Sequence, residues 1–261
     1  MRKLKILAVA LIIIFVIGIG AYGLYRLRKA RYVKETVPVA ISIDTVTESV
    51  SPVTKNTSKA QETSPTTASS LPANLNLAMT FYSQAPFGNW SEPWQNACEE
   101  SSMLLVANEY FKHNWTREQF RDQILKIVAW ETKMFGDYKE NDANQMMKIL
   151  EEYLGLKGVI HKNPTFADVQ NILAKGHLIV FPLAGREIGN PYYTNGGPDY
   201  HVMVVKGYKE GEKIITEDVG TSHGENYVYS WETFMKANHD YAIPIDNGAK
   251  VMIEVLPPSQ K

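Results

Sequence analysis

The hydrophobic pattern of the chain changes its period near Gly176. Before this glycine, apolar residues recur at helical spacing, as at positions 103, 104 and 107, which predicts amphipathic helices. After it, short apolar runs separated by glycine-containing turns predict strands, beginning with HLIVFPL at residues 177–183. Helices followed by strands are typical of an α+β domain, so the pattern predicts N-terminal helices packed on a C-terminal antiparallel sheet.

Capping residues define where several of the predicted helices begin. One helix runs from Cys98 to about residue 112, and three others follow the caps Thr116, Asp142 and Thr165. Strands are predicted over residues 77–82, 177–183, 200–208, 213–219, 226–229 and 250–256, with a short helix over residues 231–237.

The amino end carries an uncharged apolar run over residues 6–25. Its length of about 20 residues is what a transmembrane helix needs to cross a bilayer. Basic residues flank it on both sides, so charge alone does not define its orientation. We predict a transmembrane anchor with basic flanks over residues 1–34, with a cleaved signal peptide as the alternative.

Residues 35–74 are rich in Ser, Thr and Pro, a composition that predicts a disordered linker. Residues 75–258 are long enough to bury one core and form the predicted globular domain.

An anchor, a tether and a domain together predict a single-pass protein of a bacterial cytoplasmic membrane. Its domain is expected to be extracytoplasmic, with an inner-side domain as the alternative.

The charge distribution excludes a nucleic-acid-binding domain. Eight of the 27 Lys and Arg residues lie in residues 1–34, where no acid occurs, which leaves 19 basic against 28 acidic side chains in the rest of the chain. An acidic domain without a basic cluster offers no face for phosphates. We expect no cofactor and no metal, because there is no HExxH motif and no pair of cysteines.

Cys98 is the only cysteine of the chain and begins a predicted helix. It is either a buried small hydrophobe or a thiol kept for its chemistry. The unpaired N–H groups of a first helical turn favour thiolate, which supports the second interpretation.

His201 and Asp218 are the candidate partners of this thiol. His201 lies at the start of one predicted strand and Asp218 at the end of the next. In an antiparallel hairpin these two positions are neighbours. A histidine oriented by a carboxylate beside a thiol is the arrangement that nucleophilic cysteine catalysis requires. We therefore predict Cys98 as nucleophile, His201 as base and Asp218 as the orienting residue.

A side-chain amide upstream of the nucleophile could stabilise an oxyanion together with the backbone N–H of Cys98. Gln84 and Gln95 both qualify by position. Gln84 is favoured because it follows a strand and precedes a turn, so it can fold back over the helix start, whereas Gln95 could cap the helix.

Three segments resemble one enzyme family. The sequence FYSQAPFGNW at residues 81–90 followed by ACEESS at 97–102, YHVMVVKGY at 200–208 and DVG at 218–220 together look like papain-like cysteine peptidases related to bacteriocin leader-processing peptidases. The resemblance covers roughly residues 77–235 and implies a papain-like fold with the four roles given above. The chain departs from the family at Glu99, where many members have Gly, and at Val219, where they have Pro.

The sequence therefore predicts a membrane-anchored thiol hydrolase that cleaves a peptide or amide bond through a Cys98 acyl-enzyme. Its expected partners are an exported protein or cell-wall peptide as substrate and the membrane through residues 6–25. A peptide-bond-forming transferase is a close variant. The alternative of another class is a catalytically inactive binding or scaffold module with the same fold. The sequence predicts no oligomeric state.

Overall fold

The computed structural model describes residues 13–20, 22–23, 35–50 and 71–258, without the side chains of 47–50. The predicted span over residues 6–25 therefore lies partly outside the described residues. Its described part is helical. In the portion of the chain that is described, no helix combines the length and apolar character needed to cross a membrane. The membrane anchor stays a prediction.

Six α-helices are labelled in chain order within the described residues 35–50 and 71–258. They are α1 (Ile43–Val50), α2 (Cys98–Tyr110), α3 (Arg117–Phe135), α4 (Ala143–Lys148), α5 (Phe166–Leu173) and α6 (Trp231–Ala237), and α4 continues as a π-helical turn over Ile149–Tyr153. The three predicted N-caps are confirmed: Thr116, Asp142 and Thr165 each form a capping box with the residue three positions on. These caps satisfy N–H groups that a helix start otherwise leaves unpaired.

Seven strands of the described region form one antiparallel sheet. They are β1 (Leu75–Asn76), β2 (Lys157–Lys162), β3 (Leu178–Ala184), β4 (Tyr200–Lys209), β5 (Lys213–Glu217), β6 (Tyr227–Ser230) and β7 (Val251–Leu256). Their order across the sheet is β2-β7-β3-β4-β5-β6, with β1 also paired to β4. The prediction of helices packed with an antiparallel sheet is confirmed.

Two strands differ from the sequence prediction. The strand expected over residues 77–82 does not form: only Leu77 pairs there, through an isolated bridge with Ile41, and the short β1 precedes this range and pairs with Gly207 and Tyr208 of β4. β2 was not predicted, because its side chains are exposed or half-buried without clear alternation. It is nevertheless fully paired with β7.

Part of the predicted linker packs on the domain. Ile43 and Val46 of α1 are buried in the main core, and Ile41 forms a parallel bridge with Leu77. Glu35 lies 2.7 Å from the ammonium group of Lys213. These contacts pack residues 35–46 against the sheet and against the segment at Leu77 that precedes the candidate site.

The helix α2 runs through the centre of the core, with every residue from Cys98 to Asn108 buried. Its hydrophobic residues face the sheet and α3 together. The Ser102 hydroxyl donates to the Val202 carbonyl at 3.1 Å. This bond joins α2 to β4 one turn after Cys98 and one residue after His201.

Candidate active site

Cys98 and His201 line the same cleft, which has a volume of about 700 Å³. Cys98 is the first residue of α2, and His201 is the second residue of β4. Gln84, the predicted oxyanion donor, lines the same cleft. The structure thus brings together three of the four predicted residues at one surface, and the fourth, Asp218, lies behind His201.

His201 and Asp218 form a buried pair across the β4–β5 hairpin. The Nε2 atom of His201 lies 2.9 Å from Oδ1 of Asp218, and both side chains are almost completely buried. The pairing of Val204 with Glu217 places Asp218 beside the start of β4, as the antiparallel hairpin predicted. Because Nε2 faces the carboxylate, Nδ1 is the ring nitrogen left for exchange with the thiol.

Four further groups hold the Asp218 carboxylate. The hydroxyls of Tyr193 and Tyr229 donate to it at 2.7–2.9 Å, the Asn190 amide at 2.8 Å and the Gly220 N–H at 3.0 Å. Burial acts to raise the pKa of Asp218, but the hydrogen bond and charge of His201 together with the two phenols lower it below its usual value. Asp218 therefore stays ionised and fixes the imidazole. Sequence reasoning missed these donors, which come from loops and from β6.

The absence of a side chain at Gly220 leaves room for the imidazole of His201. A Cβ atom at this position would lie 2.8 Å from Cε1 and 3.1 Å from Nε2 of His201. Such contacts are closer than carbon atoms accept, so any side chain here would displace the ring. The DVG segment singled out in the sequence thus supplies both the carboxylate and the gap beside it.

The Cys98 thiol is buried and donates to the Glu99 carboxylate, with Sγ 2.9 Å from Oε2. Burial and the neighbouring Glu99 charge, together with this hydrogen bond, raise the pKa of the thiol well above its usual range. The expectation that the helix start favours thiolate is therefore wrong for this arrangement. The effect of the first-turn N–H groups is outweighed by desolvation and by the adjacent carboxylate.

A family model described as the Peptidase_C39 like family matches residues 76–242. The chain belongs to this family. The membership confirms the resemblance predicted from the sequence and covers α2, the β4–β5 hairpin and all four predicted site residues. No curated protein matches the chain.

Among solved structures, the chain is similar to a C39-like peptidase from Bacillus anthracis. The two share 15% sequence identity with a TM-score of 0.45, and the match covers 70% of this chain and 96% of the other. A likeness at this level assigns no activity.

In this C39-like domain, Gln84 is anchored over the start of α2. Its backbone N–H donates to the Val219 carbonyl at 2.9 Å. Its side-chain Nε2 donates to the carbonyls of Trp94 and Gln95 at 2.9 and 3.1 Å. Both amide hydrogens are therefore engaged, and the two carbonyls define which side of the amide is nitrogen. Gln95 also lines the cleft, so the choice between the two glutamines stays a prediction.

Aromatic side chains line the outer part of the cleft. The Tyr192 and His223 rings stack with centroids 4.3 Å apart, and Trp90 is 41% exposed. His223 and Trp90 both line the cleft. Arg186 pairs with Asp199 on the wall formed by the turn before β4.

Proposed function

We propose that the chain is a cysteine peptidase that cleaves a peptide or amide bond through an acyl-enzyme on Cys98. The observation that carries this proposal is that His201, which is paired with the buried Asp218, lines the same cleft as Cys98 in a C39-like domain. A histidine oriented by an ionised carboxylate can accept the thiol proton and later return it to the leaving amine. Asp218 holds the ring and stabilises the imidazolium that forms.

The reaction has two halves. In the first, the Sγ proton passes to Nδ1 of His201, Sγ attacks the scissile carbonyl, and the amine leaves with the proton from His201. In the second, water gives a proton to His201 and its oxygen attacks the thioester, which releases the acid and restores the thiol. An amine in place of water would make the same site a transferase.

Gln84 is proposed to stabilise the oxyanion with the backbone N–H of Cys98. Its two amide hydrogens point at the carbonyls of Trp94 and Gln95. One of these bonds has to lengthen or become shared when the oxyanion develops. The residues that carry these carbonyls lie just before α2 and line the cleft or pack beside it, so substrate binding there can shift them.

The second candidate function is a peptide-binding module without catalysis. The observation that favours it is the thiol of Cys98, which donates to Glu99 and has a raised pKa. A thiol of this kind is a poor nucleophile at rest. The aromatic walls would then bind a peptide that is not cleaved.

We further propose that residues 6–25 anchor the chain in a bacterial cytoplasmic membrane, with the C39-like domain outside. The support is the uncharged apolar run between basic flanks. An exported protein or a cell-wall peptide would then be the substrate.

A peptide-library digest with the full chain separates the two functions. We expect cleavage by the wild-type chain and its loss in Cys98→Ala and His201→Ala. His223→Ala is the matched control, because this histidine lines the same cleft but lies in the outer wall, and it should keep cleavage while changing the preferred sequences. Binding of library peptides without cleavage would support the inactive module.

A further inference from the structure

The Glu99 carboxylate is held inside the protein against the nucleophile. Its Oε2 atom accepts the Cys98 thiol at 2.9 Å, and its Oε1 atom accepts the backbone N–H of Asn141 at 2.9 Å. The residue is 1% exposed. A buried carboxylate is stable only where donors replace water, so the thiol is one of the groups that allow Glu99 to remain inside.

Other charged and titratable groups surround Glu99 on several elements. Glu100 lies on the same helix, Glu131 on α3, and Tyr200 and His201 on β4. Burial raises the pKa of Glu131 to about 8, and burial with the charge of Glu131 raises that of Glu100 well above its usual range. These two acids therefore hold protons near neutral pH, and Glu99 is the carboxylate that accepts both the Cys98 thiol and a backbone N–H.

The thiol hydrogen consequently points at Glu99 and not at the imidazole. The Nε2 atom of His201 is already paired with Asp218. Transfer of the thiol proton to Nδ1 requires Sγ to leave Oε2 first. Burial raises the pKa of Glu99, and its hydrogen bonds with Cys98 and Asn141 and the charge of His201 act against that rise. An ionised Glu99 near His201 then favours the imidazolium that the transfer creates.

We propose that Glu99 locks the resting nucleophile as a thiol, an inference that rests on the proposed hydrolase function of Cys98. The Glu99 carboxylate accepts the thiol hydrogen at rest. When substrate enters the cleft, Sγ turns away from Oε2, its proton moves to Nδ1 of His201, and the resulting thiolate attacks the carbonyl. The only cysteine of the chain is thereby shielded from alkylation and oxidation, because the thiolate is the reactive form.

A purely structural Glu99 predicts something different. Acids are favourable in the first turn of a helix, and Glu99 occupies that position in α2. If this were its whole role, Glu99→Gln would lower the stability of the domain and leave the reactivity of Cys98 unchanged. The pH profile of thiol alkylation therefore separates the two roles.

The test is the rate of alkylation of the full chain by iodoacetamide from mildly acidic to alkaline pH. Glu99→Gln should move the midpoint to lower pH and raise the rate near neutral pH by about tenfold or more, which corresponds to about one pKa unit. Glu100→Gln is the matched control, since Glu100 is the next buried acid on the same helix but does not bond to Sγ. Its profile should shift much less than that of Glu99→Gln, because Glu100 acts on the thiol through its charge and not through a hydrogen bond.

An unchanged profile in a folded Glu99→Gln protein overturns the proposal. Infrared spectroscopy of the wild-type chain gives a second measurement that no folding defect can affect. The lock predicts an S–H stretching band at neutral pH, shifted from that of free cysteine by hydrogen bonding and absent in Cys98→Ala. A band at the free-cysteine position, or no band, contradicts it.

Neither measurement requires turnover, so the lock and the hydrolase can fail separately. A faster-reacting Glu99→Gln thiol in a protein that cleaves no peptide supports the lock and rejects the hydrolase. Peptide cleavage that depends on Cys98, with an alkylation profile indifferent to Glu99, rejects the lock and keeps the hydrolase.

Discussion

Asp218 shows how one side chain depends on the donors around it. One of its oxygens faces His201 and the Gly220 N–H, and the other faces Asn190 and Tyr229. Both oxygens only accept hydrogen bonds. An ionised carboxylate provides two such acceptors, whereas an amide provides one oxygen acceptor and one NH₂ donor. The need for two acceptors distinguishes Asp218 from positions where an asparagine could orient a histidine equally well.

We therefore expect Asp218→Asn to lower kcat/KM for peptide cleavage about 10³-fold or more, because one orientation of the amide sets its NH₂ group against His201 and the other sets it against the Asn190 amide. The comparison is Asp199→Asn, which removes a cleft carboxylate that is mostly exposed and should change kcat/KM by less than about threefold. Equal losses in the two variants would remove Asp218 from the mechanism.

At the scale of elements, the segment 35–46 belongs to the folded domain more than its composition indicates. Ile43 is 4% exposed in the core, whereas Val39, four residues earlier, is 89% exposed. Ile43→Ala should reduce the free energy of unfolding by about 2 kcal/mol or more, because it leaves a cavity. Val39→Ala should change it by less than about 0.5 kcal/mol.

Chemical denaturation of the full chain measures both changes. Similar small effects in the two variants would mean that α1 does not pack stably against the sheet. The domain boundaries predicted from composition would then describe the molecule better than the packing does.

The sequence predicts local features better than tertiary ones. Capping boxes and the β4–β5 hairpin depend on residues close in the chain, so the helix starts and the approach of His201 to Asp218 follow from spacing. β2 could not be predicted, because a half-exposed strand lacks a hydrophobic period and exists through its pairing with β7.

The candidate site likewise combines local features that the sequence predicts with tertiary features that it does not. The donors to Asp218 from Asn190 and Tyr193 come from a loop whose position depends on tertiary packing. The direction of Glu99 is also set by tertiary packing: its partner Asn141 is 42 residues away in the chain. Spacing therefore indicates which residues are candidates for the chemistry, while the resting hydrogen bonds of the thiol require the folded structure.

For the molecule as a whole, buried acids govern how stability depends on pH. Burial raises the pKa of Glu131 from 4.5 to about 8 and that of Glu217, despite the pairing with Lys206, to about 7. The folded state thus holds protons that the unfolded chain releases above about pH 4.5. Since the unfolded state then binds fewer protons, the free energy of unfolding falls as pH rises through this interval.

In Glu131→Gln the free energy of unfolding should decrease less steeply with pH, because the amide cannot ionise in the folded or the unfolded state. Urea unfolding of the wild type and the variant across this pH range measures both free energies of unfolding. The loss of stability relative to low pH should differ most between the two proteins above pH 8. Parallel curves for the two proteins would show that Glu131 ionises in the folded state as it does in the unfolded one.

The proposed peptidase activity requires that Cys98 forms an acyl-enzyme with the help of His201. Its most direct test is mass spectrometry of the full chain, quenched in acid during turnover of a cleaved library peptide. We expect an acyl mass on the fragment that contains Cys98, reduced in His201→Ala and absent in Cys98→Ala. Peptide cleavage that continues in Cys98→Ala, or turnover without any acyl mass on Cys98 in rapidly quenched samples, would contradict it.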